Sequence, residues 1–199
     1  MAHLAAALPR GTSSSQQNRR PQLIAGAGAI IMLISCAAAL LPLNHAIPRA
    51  TLIGTMMVTA GLIEIVAGGL RARNRGVAML PGVLTLVAGA LLAVHPFHRF
   101  VPSVWLVIGW LGARGIVLAA SAAVTHGTVR AWTVLAAGMD LTLGLVLMLG
   151  LSASTLTLTF FGITPEVIRS FSWIVALSFV ATGMLLIEVA ASERGSPPR

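Results

Sequence analysis

The sequence predicts an all-α membrane protein with six transmembrane helices, arranged as three repeated helical hairpins. Of its 199 residues, 57% are hydrophobic and only 9% are charged, a composition too apolar for a soluble domain of this size. A bilayer core about 30 Å thick requires a run of about 20 apolar residues. Six runs qualify: Leu23–Leu43, Thr51–Leu70, Val77–Val94, Val101–Val124, Ala131–Leu151 and Ser170–Ala191. They leave no room for a soluble catalytic domain.

The clearest hairpin lies between residues 82 and 124. GVLTLVAGALLAVHP, residues 82–96, predicts one helix, and the apolar run up to Val124 predicts the helix that returns. His95-Pro96-Phe97-His98-Arg99 predicts the tight outer turn between them. In the second run, Gly54, Gly61, Glu64 and Gly68 fall on one stripe of a helix, which should face another helix rather than lipid.

The segments outside the runs are short. Residues 1–22 are rich in Ser, Gln and Arg and predict a disordered cytoplasmic tail. The six-helix membrane domain covers residues 23–192, and residues 193–199 form a cytoplasmic C-terminal tail. The last outer segment, 152–169, is longer than the other turns, and Thr164-Pro165-Glu166 within it predicts that the sixth helix begins outside the membrane.

The net charge of +8 comes from arginine, which accounts for all thirteen basic residues. Nine of them fall in the tails and alternate loops: Arg10, Arg19, Arg20, Arg71, Arg73, Arg75, Arg130, Arg194 and Arg199. The positive-inside rule therefore predicts an inner-membrane protein with both termini in the cytoplasm. No basic patch with interleaved aromatic residues argues for nucleic acid. The bilayer is the expected partner, and contacts with a second copy or with other membrane proteins are left open.

The sequence contains few residues of the types that usually form catalytic or metal-binding sites. A single cysteine, Cys36, excludes an internal disulfide and a cysteine-based zinc site. Leu33-Ile34-Ser35-Cys36 resembles a lipoprotein cleavage box, but seven more apolar residues follow it, which favours an uncleaved first span. No Ser/His/Asp set, metal-ligand box or phosphate loop is present in the sequence. We therefore expect neither an enzyme nor a bound cofactor or metal.

Charged residues inside the runs are the candidate site. Glu64 lies about 9 Å from the cytoplasmic end of its run, and Arg114 and Asp140 lie about 14 Å from the ends of theirs, at about 1.5 Å per residue. An isolated charge at that depth costs several kcal/mol, so pairing is expected. One interpretation is an Arg114–Asp140 bond that fixes helix register, with Glu64 protonated or sharing in it. The other is a pathway for protons or anions. Glu188 lies nearer the cytoplasmic surface.

Three of the five histidines fall in the first two outer turns: His45, His95 and His98. Imidazole gains a proton near pH 6.5, so acidification would place like charges beside Arg49 and Arg99. We therefore interpret these turns as pH-responsive, with plain polar turn residues as the alternative. His95 and His98 are too few for a metal site.

The hairpins repeat along the chain. Gly61 recurs as Gly112 at a spacing of 51, and Gly82 recurs as Gly138 at a spacing of 56. Gly82, Gly89, Ala90-Leu91-Leu92 and His95-Pro96, followed by Gly109, Gly112 and Gly115, resemble the HdeD family of small bacterial inner-membrane proteins. The resemblance covers roughly residues 23–192 and implies an association with acid resistance. The family brings no established catalytic residues with it.

Two functions follow as hypotheses. The resemblance implies a structural or accessory membrane protein related to stress or acid response, without a substrate of its own. The charges at Glu64, Arg114 and Asp140 favour the alternative, a small transporter or channel that conducts protons or a solute. The isolated position of those charges favours the first hypothesis.

Overall fold

A computed structural model describes the backbone of residues 13–40, 49–71, 74–94, 100–161 and 165–194, and the side chains of 19–37, 51–71, 74–94, 103–150 and 173–194. Its elements are α1 (Ser13–Leu40), α2 (Arg49–Leu70), α3 (Arg75–Val94), α4 (Phe100–Ala123), α5 (Gly127–Phe161) and α6 (Pro165–Arg194). Within these ranges the structure is all-helical, and each of the six helices is long and apolar enough to cross a membrane. The predicted fold class is confirmed, and the chain fits a multi-pass membrane protein.

The first and fifth helices extend beyond the predicted runs. α1 begins at Ser13, so residues 13–22, predicted as part of a disordered tail, are helical. A helix already nucleated in an apolar run gains one hydrogen bond for each residue it adds, and Gln and Arg are good helix formers. α5 continues to Phe161, ten residues past the predicted end at Leu151. The segment 152–161 is therefore helix rather than an irregular outer segment, because Ser and Thr do not break a helix.

The six helices pack as a closed ring in chain order, with α6 returning to α1. The interfaces α2–α3, α4–α5 and α6–α1 are the more extensive, and they alternate with the smaller interfaces α1–α2, α3–α4 and α5–α6. A threefold repetition of a two-helix unit produces this alternation, because each unit then meets its neighbours in the same way. Consecutive helices run in opposite directions, so the start of α1 and the end of α6 lie at the same end of the bundle.

Glycines set the distance between α2 and α3. A β-carbon on Gly61 would lie 2.6 Å from the backbone nitrogen of Leu86, and one on Gly89 would lie 2.6 Å from that of Val58. Backbones this close require residues without side chains. The predicted burial of the α2 glycine stripe is confirmed, since Gly54, Gly61 and Gly68 are all buried.

The described charged side chains are distributed unevenly along the bundle. One end, called here the arginine-rich end, carries six arginines: Arg19, Arg20, Arg71, Arg75, Arg130 and Arg194. There, the side-chain amide of Asn74 donates a hydrogen bond to the carbonyl oxygen of Val124 (3.2 Å) and joins two loops. The lateral surface is apolar, with residues such as Leu33, Val66 and Leu149 at least 60% exposed. A surface of this kind suits contact with lipid.

Candidate functional site

Arg114 lies at the centre of the ring and is 1% exposed. Gly115, its neighbour on α4, lets α5 approach closely, since a β-carbon there would lie 2.7 Å from the Leu141 side chain. The guanidinium of Arg114 reaches across the interior and contacts residues of α2, α5 and α6. An arginine is suited to this position because its planar guanidinium offers five donors in a fixed geometry.

Two carboxylic side chains share this guanidinium. Nη2 of Arg114 lies 2.7 Å from Oε1 of Glu64, and Nη1 lies 3.4 Å from Oδ2 of Asp140. Glu64 is 5% exposed and Asp140 is 1% exposed, so both pairs are removed from solvent. The contact with Glu64 is therefore the shorter of the two, although the sequence favoured Asp140 as the main partner.

Two hydroxyl groups of α6 complete the coordination of Arg114. Nη1 donates to Oγ of Ser178 (2.9 Å), and Nη2 donates to Oγ1 of Thr182 (2.5 Å). The hydroxyl of Ser178 in turn donates to Oδ1 of Asp140 (2.5 Å), so it bridges Arg114 and Asp140. The hydroxyl of Thr182 donates to the carbonyl oxygen of Ser178, one turn earlier in the helix (2.9 Å). Both hydroxyls are thus held with a lone pair toward the cation.

Aromatic rings form a wall beside the guanidinium. The Cζ atom of Arg114 lies 5.5 Å from the ring centroid of Trp110 and 5.9 Å from that of Phe179. These distances allow cation–π attraction, which is stronger in a desolvated site. The indole N–H of Trp110 donates to Oγ1 of Thr85 on α3 (3.2 Å) and fixes the ring. The cluster around Arg114 therefore draws on every helix from α2 to α6.

The charges of the cluster do not balance when all three groups are ionised. Glu64 and Asp140 would contribute two negative charges and Arg114 one positive charge, which leaves a net charge of −1. A buried net charge is costly in an apolar medium, and the cluster is neutral when one carboxyl group holds a proton. Three buried atoms lack a hydrogen-bond partner within the described structure: Oε2 of Glu64, Nε of Arg114 and Nε of Arg71. Oε2 of Glu64 is therefore a free position for that proton, whereas both oxygens of Asp140 accept hydrogen bonds.

The structure brings together the three intramembrane residues singled out in the sequence, Glu64, Arg114 and Asp140. Glu188 is half-buried on α6 and is not among the described ion-pair or hydrogen-bond partners of Arg114. His45, His95 and His98 lie outside the described residues. Among the described residues, no group of three or more His, Cys, Asp or Glu side chains is arranged to hold a metal ion.

The sequence analysis missed the hydroxyl groups of Ser178 and Thr182. Both lie within the apolar run Ser170–Ala191. Their spacing of four residues on one helix is the signal that indicates them, because a pair of hydroxyls on one face of a membrane helix commonly serves as hydrogen-bond partners for another helix. Thr85, which fixes Trp110, carries no comparable signal.

Comparison with known proteins identifies no relative. No protein-family model matches the chain, and no curated protein or solved structure matches it significantly.

Proposed function

We propose that the protein is a bacterial inner-membrane protein of HdeD-like type, related to stress or acid response, in which a buried cluster couples the binding of one proton to helix packing. The observation that carries this proposal is that two carboxyl groups, Glu64 and Asp140, share one guanidinium inside the bundle. Loss or gain of the proton changes the net charge of the cluster by one.

The contacts of Arg114 explain how that change would affect packing. The guanidinium is held by groups on α2, α5 and α6, and its contacts with Glu64 on α2 and Asp140 on α5 depend on the charge of the carboxyl group. When Glu64 holds the proton, Arg114 is shared between a neutral acid and an ionised one. When the proton leaves, the attraction toward Glu64 increases and the balance between α2 and α5 shifts. The cluster thus links proton binding to the relative position of these helices.

A fluorescence titration tests this proposal. Trp110 lies beside Arg114, so its emission in detergent or liposomes should change reversibly with pH between 5 and 9. The change should disappear in Glu64→Gln, which cannot exchange a proton, and in Trp110→Phe, which removes the reporter. Trp105→Phe is the matched control, because Trp105 is exposed on the same helix. A pH response that persists unaltered in Glu64→Gln combined with Asp140→Asn would contradict the proposal.

Transport is the second candidate function, and the ionisable groups in the membrane interior favour it. A proton-conducting protein should acidify liposomes that contain a trapped pH-sensitive dye when a proton gradient is applied, and Glu64→Gln should abolish the flux. An accessory protein should show the Trp110 response without flux. The two measurements on one preparation therefore separate the candidates.

The orientation of the chain is part of the same proposal. Six described arginines lie at the end of the bundle that holds the start of α1 and the end of α6, which supports placing both termini in the cytoplasm. A reporter that is active only in the periplasm should be inactive when fused after Arg199. The same reporter inserted between α3 and α4, within residues 95–99, should be active. The reverse pattern would show that the orientation is wrong.

A further inference from the structure

The described Asp, Glu, Arg and His side chains are absent from one half of the bundle. All of them lie either in the cluster around Arg114 or between it and the arginine-rich end. On the other side of the cluster, the described interior is formed mainly by large apolar side chains that are at most 1% exposed, Met57, Leu92, Val104 and Val107, with Ser35 and Ser103 as buried polar residues. Apolar packing of this density excludes water and cannot solvate a proton.

The half toward the arginine-rich end contains a further buried polar atom, Nε of Arg71, in a side chain that is half-buried overall. Arg71 directly follows Leu70, the last residue of α2, and lies seven residues after Glu64, which is two helical turns or about 10 Å, so it continues the face of α2 that carries Glu64. Ala67 lies between them, is fully buried and has only a methyl group. Oε2 of Glu64 and Nε of Arg71 are two of the three buried atoms without a hydrogen-bond partner in the described structure.

The electrostatic surroundings of Arg71 connect it to the cluster. Burial lowers the pKa of the Arg71 guanidinium, and the carboxyl groups of Glu193 and Glu64 act against that shift. The other charged groups at this end are Glu188, which is half-buried on α6, and the exposed side chains Arg19, Arg20, Arg75, His126, Arg130 and Arg194. Buried polar atoms without protein partners are ordinarily satisfied by water, so the Glu64–Arg71 face is the hydrated side of the cluster.

We propose that the cluster exchanges its proton with water at the arginine-rich end of the bundle, along the face of α2 that carries Glu64 and Arg71, and not with water at the opposite end. The proton leaves Oε2 of Glu64 for a water molecule, which becomes hydronium, and the carboxyl group becomes a carboxylate. Arg71 acts as a positioning residue that orders water along this face. The inference rests on the proposed proton site, and with both termini in the cytoplasm it makes the protein a sensor of cytoplasmic pH.

Infrared spectroscopy on oriented liposomes tests the route. The full chain is reconstituted in one orientation, the pH is stepped on one side only, and the carbonyl band of the protonated Glu64 is followed, assigned by its loss in Glu64→Gln. A step at the arginine-rich end should change the band at least ten times faster than a step at the opposite end. Equal rates from both sides, or faster exchange from the opposite end, would overturn the route.

Substitution of Arg71 provides a second test of the proton route. Arg71→Met should slow exchange from the arginine-rich end at least tenfold, and Arg71→Lys, which keeps a charged donor, should restore most of the rate. Arg130→Met is the matched control, because Arg130 is exposed at the same end of the bundle. An unchanged rate in Arg71→Met would overturn the role of Arg71. If the unsubstituted protein shows no pH-dependent Glu64 band, Glu64 does not exchange a proton. That result would overturn both the proposed proton site and the route.

Discussion

Replacing Arg114 by leucine is expected to destabilise the protein by about 3–5 kcal/mol, the cost of removing one partner from a buried ion pair. The substitution would leave Glu64 and Asp140 in the interior without their shared cation and would deprive Ser178 and Thr182 of their donor. The free energy of unfolding in detergent, measured by a reversible denaturant titration, provides the test. Arg130→Leu, at an exposed position on α5, should change it by less than about 0.5 kcal/mol.

The same measurement on combined variants separates the two acids. The double variant Arg114→Leu, Asp140→Leu should have a higher free energy of unfolding than Arg114→Leu alone, because one carboxyl group without its cation is removed from the interior. Since Glu64 makes the shorter contact with Arg114, adding Glu64→Gln should recover more. Residues in one hydrogen-bonded network do not contribute independently. Strict additivity of the three substitutions would show that the cluster is not an interacting unit.

The spans were predictable from the sequence because hydrophobicity is a local property. The run Thr51–Leu70 coincides with the apolar stretch of α2, and the others differ from the structure by a few residues at each end. The larger differences lie at Ser13 and Phe161, where helices continue into polar sequence that apolar runs do not detect.

The candidate site was predictable only in outline. Glu64, Arg114 and Asp140 are conspicuous because charges are rare in apolar runs, and their similar depth indicated that they meet. The order of contacts was not predictable, since it depends on the rotation of each helix about its axis, which packing against neighbouring helices determines. Ser178 shows this limit most clearly: its spacing from Thr182 indicates a shared helix face, but only the structure shows that it bridges Arg114 and Asp140.

Replacing Gly61 by alanine is expected to destabilise the protein by about 1–3 kcal/mol, the usual cost of overpacking. The added β-carbon would lie 2.6 Å from the backbone nitrogen of Leu86 and 2.9 Å from the carbonyl oxygen of Gly82. These are backbone atoms, which cannot rotate away as a flexible side chain would, so α2 and α3 would have to separate. Gly61→Val should cost more than Gly61→Ala. The free energy of unfolding in detergent measures both effects.

Gly69→Ala is the matched control for Gly61→Ala, because it adds the same atom to the same helix. The nearest atom to a β-carbon on Gly69 is the sulfur of Met79 at 3.9 Å, an ordinary contact with a flexible side chain. Alanine also has the higher helix propensity, so Gly69→Ala should be neutral or slightly stabilising. The difference between the two variants measures the closeness of α2 and α3. Equal destabilisation by both would mean that any loss of glycine weakens α2 and that the close approach at Gly61 is not what holds this interface together.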